Sequence, residues 1–258
     1  MENGVLIGLS RQIALGRELD VIANNIANLN TTGYKADYSV FEEFLMPTAR
    51  HNQFSGADGR LSYVQDRATW HDLRPGPVRQ TGNPLDVAID GEAFLVVQTP
   101  RGERYTRNGA LQMNATGQLV TSDGMPVLGD GGPIQFQSSD SRVSITQEGT
   151  ITVREGANTK SDSVRGKLRL VRFDQPGRLQ KDGSNLFAAP NGVIAQPVQP
   201  TNRVKVIQGA IEQSNVQSVL EMSRMIEVTR HYSMMSGMLS QHAEMRRGAL
   251  EKLADVPA

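Results

Sequence analysis

Cysteine is absent from the 258 residues, which removes disulfide staples, thiolate zinc sites and cysteine nucleophiles together. Neither sign of charge is in excess, with Lys+Arg and Asp+Glu at 27 each. A nucleic-acid surface needs a basic surplus, so that class is set aside. Long apolar runs are missing too. The opening MENGVLIGLSRQIALG has an acidic second residue and breaks at Gly4 and Gly8, so it reads as neither a cleavable signal peptide nor a membrane span. No G-x-S-x-G, H-E-x-x-H or phosphate-loop pattern occurs, and His51, His71, His231 and His242 lack metal-ligand spacing. No catalytic, metal or cofactor site is expected. Gly129 to Gly132 reads as a turn, and the glycosylation sequons at Asn30 and Asn114 are of a kind common by chance.

What is present centres on the stretch from Leu15 to Lys35. Leu15, Leu19, Ile22, Ile26 and Leu29 follow at spacings of 4, 3, 4 and 3, the pattern of one apolar stripe facing a partner helix. At roughly 100° per residue, Asn24 and Asn28 lie opposite that stripe. Four of the seven residues from Asn24 to Asn30 are asparagine, each roughly 0.6 kcal/mol worse than alanine inside a helix. Two readings follow. From Asn30 to Gly33 the residues suit a turn ending the helix; Asn24 and Asn28 suit hydrogen bonding to another chain.

The pattern predicts a helix from about Asn3 to Leu29, within a helical and connecting segment over 1–46 that carries Tyr38, Phe41, Phe44 and Leu45. The polar stretch 47–73 reads as an extended arm or loop. Over 74–208, short apolar runs alternate with turn pairs such as Asp90-Gly91, Asn108-Gly109 and Thr116-Gly117. This predicts an antiparallel β domain, with Asp90-Gly91 its strongest hairpin signal. The segment 209–258 returns to a helical period, with Met222, Met225, Val228, Tyr232, Met235, Leu239 and His242 on one stripe and Ser214 or Asn215 as its cap. Its methionines suit either an ordinary core or an adaptable interface between subunits. The fold class is α+β, mainly β, with the two terminal helices paired as a coiled-coil domain.

Three stretches resemble a known family. Asp20 to Lys35 fits the form ANNIANxNTTGYK, the middle carries PLDVAIDGEAFLVV with YTRNG and GQLVT, and Gly209 to Tyr232 is similar to a C-terminal signature. Together they resemble the flagellar axial proteins, the rod and hook subunits, and within them the proximal-rod type. The resemblance implies a structural subunit of the bacterial basal-body rod, not an enzyme, that polymerises through its terminal helices. The implied partners are neighbouring rod subunits, of its own and related kinds, and the flagellar export apparatus. The implied location is the periplasm-spanning rod, reached without a cleaved signal peptide. A distal-rod or hook subunit is the nearest alternative. A peptidoglycan- or carbohydrate-binding module is the alternative from another class; it would use Trp70, Tyr63 and Tyr105, in a chain with one tryptophan and 5% aromatics. Candidate assembly residues in the N-terminal helix are Ile22, Asn24, Asn25, Ile26 and Asn28, continuing to Asn30, Thr32 and Gly33. On the C-terminal helix they are Met222, Met225, Tyr232 and Leu239.

Overall fold

The computed structural model describes residues 2–46, 61–155, 162–198 and 204–254. Antiparallel strands dominate it, with one long helix toward each end of the chain. Contacts divide it into two units, the first from residues 1–27, 37–71 and 217–258, the second from 28–36 and 72–216.

The first unit is built on helix α1 (Glu2–Ala27) and helix α2 (Ser218–Ala254). Four of the five predicted stripe positions on α1 form their seam: Leu15, Ile22 and Val228 are buried together, with Leu19, Ile26, Met225 and Tyr232 packed against them, while Leu29 falls beyond the end of α1. Burying a side chain of Ile22's size contributes about 1.5–3 kcal/mol. A Cβ on Gly8 would come within 2.8 Å of Leu239, and one on Gly16 within 3.9 Å of Tyr232. Rising residue numbers on one helix thus meet falling numbers on the other, and the helices run antiparallel. Met222 is half exposed and lies off the seam, a correction to the predicted stripe.

Strand β1 (Asp37–Met46) pairs antiparallel with β2 (Leu61–His71), from Asp37 opposite His71 to Met46 opposite Leu61, with a bulge at Val40/Phe41. The stretch read as an arm or loop therefore contains a strand over 61–71. Its polar sequence hid it, because the partner strand and not an apolar alternation supplies its register. Residues 47–60 lie outside the described residues. Tyr38 and Trp70 face each other across the ribbon, stacked at 5.7 Å.

The second unit centres on β5 (Phe94–Thr99). Leu95 and Val97 point into one apolar cluster with Val87, Leu119, Ile151 and Leu168, while Phe94 and Val96 enter a second with Tyr105, Phe173 and Phe187. Both faces are covered, which is why the strand reads as an unbroken apolar run. A six-stranded antiparallel sheet runs in the order Gln180–Lys181, Leu186–Ala188, β6 (Gly102–Thr106), β5, Leu170–Arg172 and Gln196–Pro197. A three-stranded sheet joins Asp140–Ile145, Thr150–Glu155 and Asp162–Lys167.

Two local expectations are corrected here. Asp90-Gly91 does not close a hairpin, because β4 (Val87–Asp90) pairs with Lys205–Gln208 and β5 pairs with β6. Gly91, at φ +111°, instead turns the chain from one sheet into another. The C-terminal helix starts at Ser218 and not at 209, since Ala210–Glu212 is held extended by pairing with β3 (Val78–Gln80). Neither proposed cap performs that role: Ser214 Oγ accepts from Val216 N, and the Asn215 amide bonds the backbones of Ala36, Asp72 and Arg74.

Candidate assembly interface

The asparagines of the N-terminal signature separate by location. Asn25 is fully buried. Its Nδ2 donates to Asp37 O at 2.8 Å and Glu221 Oε2 at 3.3 Å, and its Oδ1 accepts from Asp37 N at 2.9 Å. These bonds tie α1 to the start of β1 and to α2, so the low helix propensity of Asn25 is offset inside its own unit. Helix α1 ends at Ala27. Asn28 thus lies in the turn that follows, where its Oδ1 accepts from Thr31 Oγ1 at 3.0 Å. The turn reading, given above to Asn30 onward, begins two residues earlier. Asn24 and Asn30 are at the surface, and Thr32 is half-buried with its carbonyl accepting from Asn185 Nδ2 at 3.2 Å.

Gly33 is enclosed by its own unit. Its φ is +68°, and an added Cβ would sit 2.5 Å from the backbone of Arg107 and Asn108, so glycine is required on both counts. Its N–H donates to Glu212 O at 2.8 Å.

Beside it lies a charge cluster that spacing gave no sign of. Lys35, Arg107 and Glu212 are exposed by 1%, 4% and 1%. Lys35 Nζ donates to Glu212 Oε1 at 2.5 Å and to Arg74 O at 2.7 Å. Glu212 Oε1 also accepts from Gly76 N at 2.9 Å. Arg107 Nε and Nη2 fork onto Glu212 Oε2 at 2.8 and 2.6 Å. The remaining guanidinium donors reach Gly91 O, Ala93 O and Ile89 O at 2.7, 2.5 and 3.0 Å. Four N–H groups of Arg107 are thereby hydrogen-bonded, and the carbonyls at the Gly91 turn find their partner there. Burial pushes the Lys35 ammonium down from its ordinary value, against the pull of the Glu212 carboxylate.

Three further carboxylate–arginine pairs tune the same unit. Arg74 beside Asp72, Arg165 beside Asp140 and Arg104 beside Asp182 hold those three carboxyls below the usual range. A carboxyl lowered in the folded state stabilises the fold above its unfolded pKa of about 4, and that stabilisation is lost as pH falls through the lowered folded values. Acid titration followed by circular dichroism is therefore expected to show stability flat above about pH 5 and declining below 4. Asp140→Asn should shallow that decline; an unchanged slope would mean Asp140 carries none of it.

Of the aromatics named for the binding-module alternative, Tyr105 does not offer an exposed face. Tyr105 is buried and packs edge-on against Phe173 at 4.8 Å, Trp70 is half exposed, and the Tyr63 side chain lies outside the described residues. Among the described residues, no helix is long and apolar enough to cross a membrane.

Family profiles match at three places along the chain. They are the flagella basal body rod protein over residues 6–35, the flagellar hook protein FlgE/F/G D1 domain over 88–153, and the flagellar basal body rod FlgEFG protein C-terminal over 207–251. The flagellar basal-body rod protein FlgF of Caulobacter vibrioides is 37% identical over 99% of this chain and 100% of its own. FlgF of Mesorhizobium japonicum is 33% identical over 98% of each. The rod protein FlgG of Agrobacterium fabrum is 36% identical over 88% of this chain and 90% of its own. The chain belongs to the flagellar basal-body rod protein family. It is a structural subunit of that rod, and its likeness to FlgF runs nearly end to end.

Proposed function

We propose that α1 and α2 pair as a coiled coil and polymerise with the terminal helices of neighbouring axial subunits, in the proximal part of the periplasm-spanning rod. The chain leaves the cell through the flagellar export apparatus and catalyses no reaction. The near-complete coverage by FlgF relatives, against 88–92% of this chain for FlgG relatives, supports the proximal position.

One observation carries the polymerisation reading, namely a second apolar stripe turned away from the seam. On α1, Leu6, Leu9 and Ile13 are 46–60% exposed at helical spacing. On α2, Met222, Ile226, Met234, Met238 and Met245 are 51–63% exposed. Two glycines inside the same helix, Gly237 and Gly248, face open space. Each costs about 1 kcal/mol relative to alanine, which close approach by a neighbour would offset. The double variant Met234→Glu, Met238→Glu alters only that outer face. Its circular dichroism is expected to match the parent, while incorporation into isolated basal bodies, and with it swimming, is lost. Normal incorporation would remove the outer stripe from the assembly surface.

A further inference from the structure

We propose that a cavity in the first unit receives an arginine side chain from a neighbouring axial subunit. This rests on the polymerising-subunit reading above. The cavity, of about 380 Å³, opens between Glu18 and Ile22 of α1, Asp37 and Tyr38 of β1, Trp70 of β2, and Glu221 and Arg224 of α2. Trp70 is the sole tryptophan and is 46% exposed, an unusual place to leave the largest aromatic face in a soluble unit. It stacks on Tyr38, and the Arg224 guanidinium already stands 5.3 Å from the Tyr38 ring, so this wall accepts a cation.

Charge sets the choice of occupant. Three carboxylates, Glu18, Asp37 and Glu221, line the cavity against one guanidinium. Asp37 is committed to His71 Nδ1 at 2.6 Å. Glu221 is 97% buried by its 3% exposure, yet its contacts are long, 3.3 Å from Asn25 Nδ2 and 3.7 Å from Arg224. Glu18 makes no ion pair among the described residues. An acidic occupant would meet like charge, and an apolar one would strip water from the half-buried Glu18 carboxylate without compensation. A lysine would bring charge but stacks poorly and holds its hydration. A guanidinium lies flat on an indole face while forking onto a carboxylate, which uses both features of the cavity at once.

The single tryptophan makes the test direct. The full chain is titrated with N-acetyl-arginine amide while Trp70 emission is read, with N-acetyl-citrulline amide as the uncharged isostere. A saturable change with the arginine probe, about tenfold or more weaker both for citrulline and in Glu18→Gln, is the expected result. Equal, linear responses to the two probes would overturn the proposal. In cells, Glu18→Arg places a cation at the mouth of the cavity; swimming is expected to stop while the purified variant keeps its helical signal. Normal swimming of Glu18→Arg, with the subunit present in isolated basal bodies, overturns the cavity proposal and leaves the rod reading standing. Absence of the unaltered chain from basal bodies would instead sink the rod reading itself.

Discussion

Glu212→Gln is expected to destabilise the second unit by about 3–5 kcal/mol, because it keeps the side chain's shape and removes the carboxylate that bonds both Lys35 and Arg107, two buried cations. Lys35 and Arg107 would remain almost fully enclosed. Urea unfolding should show a lower midpoint at an unchanged slope. Lys35→Met in the same background should recover part of the loss, since one orphaned charge is removed; Arg107 must stay, because it also satisfies three buried carbonyls. A pH series adds a signature specific to charge. In the variant Lys35 keeps its desolvation and loses its attraction, so its folded pKa falls further below the ordinary 10.5. The folded state then binds fewer protons than the unfolded one, and the deficit should shrink as pH rises toward 10.5. A loss under about 1 kcal/mol, the range of an exposed pair, would show that solvent reaches the cluster.

Ile22→Asp is expected to unfold the first unit while the second survives. Ile22 is 2% exposed in the seam with Leu15 and Val228. The substitution forfeits about 1.5–3 kcal/mol of apolar burial and adds a buried charge whose desolvation costs several more. It also places a fourth carboxylate on a cavity already lined by Glu18, Asp37 and Glu221. Far-UV circular dichroism should lose most of its helical signal, while hydrogen exchange stays slow across Val87 to Val97. Retained helicity would place Ile22 outside the unit's stabilising core.

Legibility in the sequence followed the range of the interactions. The seam of Leu15, Ile22 and Val228 was visible because helical periodicity is written in neighbouring residues. Strands such as Thr150–Glu155 were visible because they alternate apolar and polar residues between glycine turns. Strand β2 was not, since its polar residues take their order from β1. The Asp90-Gly91 pair announced a turn correctly and its partner wrongly, for a turn pair carries no information about which distant strand completes the ladder. Nothing local marked Lys35, Arg107 and Glu212 as partners, since they lie 177 and 105 residues apart. What could have raised them is that each lies inside a stretch resembling the axial proteins: TTGYK, YTRNG and GAIE. Asn25 was grouped with its neighbours as an assembly residue, although its face of the helix carries a different and internal duty.

The order in which the chain can finish folding follows from how far apart its clasps lie. In the second unit Lys35 waits for Glu212, 177 residues on, and Ala36 for Asn215, 179 on. In the first, Asn25 waits for Glu221, 196 residues away. Closing loops of that size costs on the order of 5 kcal/mol of chain entropy before any contact repays it, and topologies dominated by such pairings fold slowly. The clasps that join residues 25–36 to residues 212–221 therefore cannot close while the last fifth of the chain is missing.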